Sequence, residues 1–97
     1  MPDVREVYGM TKEEAKKIIR YPVKPLALVA LSYANLTDRE MDVLILRFMR
    51  GHTQEETAEE MSCTVNGLQK WERAALDKCC KAWYKLKFIE ELLKSAQ

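Results

Sequence analysis

The sequence predicts an all-α fold, and three observations carry that reading. Three boxes of the form Thr-x-x-Glu, Thr11 to Glu14, Thr37 to Glu40 and Thr53 to Glu56, stand where apolar helical patterns begin. Each marks a helix start, because the threonine hydroxyl and the glutamate carboxylate reciprocally satisfy amides that have no partner in the first turn. Glycine and proline number only three each in 97 residues, too few for the turns of a β-sandwich of this length. No segment reads convincingly as a strand.

The elements follow in order. A first helix runs from Thr11 to about Arg20, where Tyr21 precedes Pro22 and is pushed out of the helical region. Pro22 and Pro25 bracket a connector, and Pro25 suits the first turn of the next helix. The run Leu26 to Leu31 is apolar on every side, so this helix must be buried widely, in the core or against a partner. After Thr37, with Leu36 placed as a hydrophobic staple, Met41, Val43, Leu44, Leu46 and Phe48 supply an apolar face that ends at Gly51, a residue suited to a left-handed cap. A short helix from Thr53 to about Met61 carries Ala58 inward, and Ser62-Cys63-Thr64 forms a turn. Thr64 caps a last helix that contains no proline and only Gly67 as glycine, so it is expected to persist to about Ser95, roughly 45 Å. The expectation is one domain over residues 1–97 with about five helices: a helical pair at 11–35, a central unit at 36–81 and a helical extension at 82–97.

Composition narrows the functional classes. With 47% apolar and 32% charged residues the chain has the material for a folded core. Sixteen basic and 15 acidic residues leave a formal charge of +1, which neither favours nor excludes nucleic acid. No apolar run approaches the length of a membrane span, and Asp3, Arg5 and Glu6 interrupt any signal-peptide pattern, so a cytoplasmic protein with no membrane partner is expected. The three cysteines include the adjacent pair Cys79 and Cys80, and with the single His52 they do not make spaced zinc-ligand pairs. Cys63 and Cys79 read as small apolar residues and His52 as a turn residue. No phosphate-cradling glycine loop, catalytic triad or metal-ligand helix is present, so neither enzyme nor cofactor is expected.

A helix, a glycine turn, a short helix, a three-residue turn and a longer helix are the order of a helix-turn-helix, in which the second helix of the pair offers its first turn to the DNA major groove. Ala58 allows a close crossing, and Leu68, Trp71, Ala75 and Leu76 anchor the last helix. Spacing alone leaves DNA reading and plain bundle packing both open.

The residues go further. Leu36-Thr37, Arg39-Glu40, Val43-Leu44 and Arg47-Phe48, then Gly51, Thr53, Glu55-Glu56, Ala58 and Met61, then Leu68, Trp71-Glu72, Ala75-Leu76 and Lys78, resemble in order and spacing region four of bacterial sigma factors over Leu36 to Lys81. The resemblance implies double-stranded DNA as partner, at an upstream promoter element, and contact with the flap of the RNA polymerase β subunit. It places Thr64, Val65, Asn66, Gly67, Gln69, Lys70 and Arg73 toward DNA, with Arg47, Arg50 and Thr53 near the phosphate backbone. Asn66 and Gln69 have the two-point geometry that suits adenine, while Lys70 and Arg73 suit guanine or phosphate. The chain departs from the family in opening its last helix with Thr64-Val65-Asn66-Gly67 rather than arginines, which implies an altered or weakened DNA site. No region-two pattern is recognisable, so the expectation is a sigma-like module acting beside other machinery.

Charge is polarised along the chain. From Thr64 to Phe88 six basic residues oppose Glu72 and Asp77, a net +4, while Glu55, Glu56, Glu59 and Glu60 give a net −4 over Thr53 to Met61. A basic stripe neutralises phosphates; the plainer reading is a solvated face. Toward the carboxy terminus Ala75, Cys79, Ala82, Leu86, Ile89 and Leu93 step by four and three, a heptad-like seam fitting either a homodimer or a fold-back onto Leu26 to Leu31. The reading is a sequence-specific transcription regulator. A module binding RNA polymerase or another regulator through protein contacts is the alternative, and by analogy of context so is a phage or mobile-element protein.

Overall fold

A computed structural model describes residues 10–95; the amino-terminal charges Asp3, Arg5 and Glu6 lie outside them. Six helices and no strand occur among the described residues: α1 (Lys12–Ile19), α2 (Lys24–Ser32), α3 (Asp38–Leu44) continuing into a π-helical turn (Ile45–Met49), α4 (Gln54–Glu60), α5 (Val65–Trp83) and α6 (Lys87–Ser95). The three Thr-x-x-Glu sequences form complete capping boxes at the starts of α1, α3 and α4. Helix α2 starts one residue earlier than Pro25, at Lys24, with the proline still inside the first turn.

The end of α3 is wound more widely than a regular α-helix. The Arg50 amide donates to the Ile45 carbonyl at 3.0 Å, five residues back, and Gly51 then takes φ 71°. This wider turn leaves Leu46 and Phe48 buried and Arg47 half-buried at the junction with α4.

One large core joins α1, α2, the end of α3, α5 and α6, with Ile18, Ile19, Leu31, Leu44, Leu76, Cys79, Trp83 and Ile89 fully or almost fully buried. Burial of the Trp83 ring carries a polar tip, and its indole Nε1 donates to the Ala30 carbonyl at 2.7 Å. A smaller core of Val43, Ala58 and Leu68, flanked by Met61, Cys63, Val65 and Trp71, holds α3, α4 and α5 together.

Two expectations change. The last helix does not run to Ser95: it stops at Trp83, and residues 84–86 turn the chain into α6. No glycine or proline dictates the break. The apolar face does, because Ile89 and Leu92 become buried when α6 returns to pack on α1. The seam is therefore not a continuous stripe. Ala75 and Cys79 on α5 and Ile89 on α6 are buried in the core, while Ala82, Leu86 and Leu93 are half-buried against it. Helix α2 is also less covered than its composition implies, since Ala27, Ala30 and Leu31 are buried but Leu28 and Val29 are exposed.

Candidate nucleic-acid interface

Helices α4 and α5 form the helix-turn-helix. The Cys63 amide donates to the Ala58 carbonyl at 2.9 Å, and Ser62 takes φ 54°, the left-handed conformation that reverses the chain. Ala58 has no bulk to hold the helices apart, so Leu68 packs directly beneath it in the small core. The Thr64 hydroxyl accepts the Gly67 amide at 3.1 Å and so caps α5.

Of the residues assigned toward DNA, Thr64, Asn66, Lys70 and Arg73 are exposed, and Val65, Gly67 and Gln69 are half-buried. Asn66, Lys70 and Arg73 fall four and three residues apart, so one helical face presents them together, with Gln69 beside them. Gln69 is held in place, its side-chain amide donating to the Gln54 side-chain oxygen at 3.0 Å across the two helix starts. Gln54 was not singled out by the sequence, whose only relevant signal was its position directly after the cap Thr53.

The bracing side divides. Thr53 is exposed and spends its hydroxyl oxygen on the Glu56 amide, while its own amide donates to the Glu56 carboxylate at 2.9 Å. Hydrogen bonds donated to the Glu56 carboxylate by the Thr53 backbone amide and by the Thr53 side chain hold it below its ordinary pKa. Arg50 is exposed but lines a different cleft, of about 630 Å³, with Arg39, Asp42, Glu60 and Met61. Arg47 is engaged within the protein in this arrangement. Its Nε donates to Glu72 at 2.7 Å and its terminal nitrogen to the His52 carbonyl at 2.8 Å. Behind the recognition face, the Arg39 guanidinium stacks 5.0 Å from the Trp71 ring centre.

A second ion pair fixes α5 to α3. Glu40 accepts Lys78 Nζ at 2.6 Å and the Thr37 amide at 2.9 Å. Burial pushes the Glu40 carboxyl upward, but the hydrogen bonds from Lys78 and Thr37 and the lysine charge together outweigh it and hold the group below its ordinary value.

Charge is distributed unequally over the helix starts. The first turns of α1, α3 and α4 contain acidic residues, whereas that of α5 contains none. The positive end of the α5 dipole thus receives no counter-charge from its own first turn. Burial raises the Cys79 thiol far above its ordinary range and the Cys80 thiol to about 11, so both act as apolar filling. Among the described residues no three His, Cys, Asp or Glu side chains are grouped to hold a metal ion, and no helix is long and apolar enough to cross a membrane.

In comparison with known proteins, the family model described as Sigma-70, region 4 matches residues 34–80. These limits enclose α3, the π-helical turn, α4 and most of α5. Neither a curated protein nor a solved structure gives a significant match to the chain.

Proposed function

Residues 34–80 are a Sigma-70, region 4 domain, a family of non-catalytic domains that bind promoter DNA, and from that premise we propose that this protein is a sequence-specific, DNA-binding transcription regulator. The observation that carries the proposal is the start of α5. There Asn66, Gln69, Lys70 and Arg73 share one solvent-facing side of a capped helix whose first turn has no acidic residue. Asn66 and Gln69 are the base readers, and Arg73 reads guanine or holds phosphate. Thr64 and Val65 sit at the entry to the groove. Lys70 and Thr53 anchor the phosphate backbone on one side and Arg50 anchors it from its own cleft. The Gln54 contact sets the angle of Gln69 before DNA arrives.

One observation favours a second reading, a module that binds RNA polymerase or another regulator by protein contacts. Val23, Leu28, Val29 and Tyr33 on and around α2 are each 45% or more exposed. This concentration of apolar surface lies outside the DNA-facing helix.

Selection from a random duplex library at moderate salt separates the readings. Enrichment of a motif establishes a sequence reader, and its symmetry shows whether one copy or a homodimer binds. Retention without enrichment means non-specific phosphate binding. Absence of retention moves the assignment to the protein-binding module.

A further inference from the structure

Beside the recognition helix the structure has a cleft of about 350 Å³ that the matched domain does not build alone. Its walls are Lys12 and Lys16 from α1, Gln54 from α4, and Gln69, Glu72, Arg73 and Leu76 from α5. Helix α1 lies outside residues 34–80.

The charge in this cleft is positive. Among the described residues Glu72 is the one carboxylate lining it, and Arg47 already neutralises that group at 2.7 Å. Lys12, Lys16 and Arg73 remain. Lys12 stands 3.5 Å from Asp77 and Lys16 3.1 Å from Glu13, both as part-exposed pairs. Exposed pairs of this kind are weak and screened by salt, so a polyanion competes for either lysine. The position of Lys16 is also restricted by the Phe48 ring, whose centre lies 5.7 Å from its ammonium. Gln69, Arg73 and Leu76, which line the cleft, follow one another at four- and three-residue spacing along α5, about 10 Å of helix, so the cleft continues the base-reading face toward α1.

We propose that α1 is part of the DNA interface: Lys12 and Lys16, with Arg73, hold the sugar-phosphate strand that borders the groove occupied by α5. The proposal rests on the DNA-binding reading above and adds a contact surface from outside the matched domain. Its role is phosphate neutralisation, so it strengthens binding to all sequences alike and leaves the sequence preference to α5.

The test is the salt dependence of binding to one duplex of about 30 base pairs, carrying the enriched motif or, without one, mixed sequence. Wild type is compared with Lys12→Gln/Lys16→Gln, Lys12→Arg/Lys16→Arg, Arg73→Ala and Lys17→Gln, the last changing an exposed α1 lysine that does not line the cleft. The expected result is a salt slope lower by about two for the double Gln variant. The double Arg variant and Lys17→Gln should keep the wild-type slope, with thermal melts showing all variants folded. An unchanged slope in the double Gln variant, alongside a reduced slope in Arg73→Ala, overturns the role of α1 and leaves the function of α5 standing. An equal loss in Lys17→Gln also overturns it, because the effect is then one of overall charge. If wild type binds no duplex, the parent reading falls as well.

Discussion

Arg47 and Glu72, 25 residues apart in the chain, meet at 2.7 Å and join the end of α3 to the recognition helix. The same guanidinium holds the His52 carbonyl at 2.8 Å, so a single side chain fixes α3, the α3–α4 turn and α5. Both side chains of the pair are mostly shielded, 22% and 14% exposed. Arg47→Ala leaves Glu72 without its partner and should cost about 2 kcal/mol of unfolding free energy, whereas Glu72→Gln, which still accepts a hydrogen bond, should cost less. Urea unfolding of the two single variants and the double variant gives the coupling. Additive losses would show that the pair contributes nothing beyond its separate side chains.

The Trp83–Ala30 contact should set how firmly the carboxy-terminal end of α5 is tied to α2. Trp83→Phe removes the indole N–H and leaves volume unfilled in the large core. The Ala30 carbonyl still accepts the Tyr33 amide at 3.1 Å, so it is not stranded. Most of the loss is therefore packing, about 2 kcal/mol, with a fall in melting temperature of roughly 10 °C. A melt within a degree or two of wild type would mean that the region repacks freely.

What the sequence made legible is local. Each capping box lies within four residues, and Gly51 acts through its own φ of 71°. Those signals operate before any tertiary contact forms, so they place five of the six helix starts, counting the Thr64 cap and the approximate start at Pro25. The break after Trp83 has no such marker, because burial of Ile89 and Leu92 against α1 decides it. The site divides in the same way. The exposed side of α5 is readable from spacing and from the family motif. The withdrawal of Arg47 into a clamp, the pairing of Gln54 with Gln69 and the arrival of Lys12 and Lys16 beside Arg73 depend on residues distant in the chain. Helical periodicity assigns residues to a face and leaves open which helix packs on that face.

Acid should loosen the α3–α5 contact through Glu40. Its carboxyl titrates lower in the folded protein than in the unfolded chain. The associated stabilisation is therefore fully present above the unfolded value of about 4.3 and is lost as pH falls through the folded value. Glu40→Gln keeps an acceptor for Thr37 and removes the titration, so it should flatten the decline in stability below about pH 4.3. Part of the acid slope should survive, since Glu56 is shifted in the same direction. Urea midpoints between pH 7 and pH 3 measure this, and identical acid slopes in the variant and wild type would exclude Glu40 as a contributor.

The sharpest separation of stability from function lies at Gly67. In α1, α3 and α4 the third helical residue is the capping-box glutamate, Glu14, Glu40 or Glu56, but in α5 it is Gly67, so Thr64 caps without a reciprocal carboxylate. Glutamate at this position completes the box and replaces a poor helix former, for a gain of about 0.5–1 kcal/mol. The new Cβ approaches the Thr64 hydroxyl oxygen at 3.2 Å, which has to yield by a few tenths of an ångström. The same substitution puts a negative charge where α5 enters the groove, beside phosphates, and should weaken duplex binding by at least about tenfold. Gly67→Ala is the control, since it shares the gain in helix propensity without the charge. The expected outcome is a higher melting temperature in both variants and a loss of DNA affinity in Gly67→Glu alone. If Gly67→Glu is stabilised and binds duplex as tightly as wild type, the first turn of α5 does not face DNA.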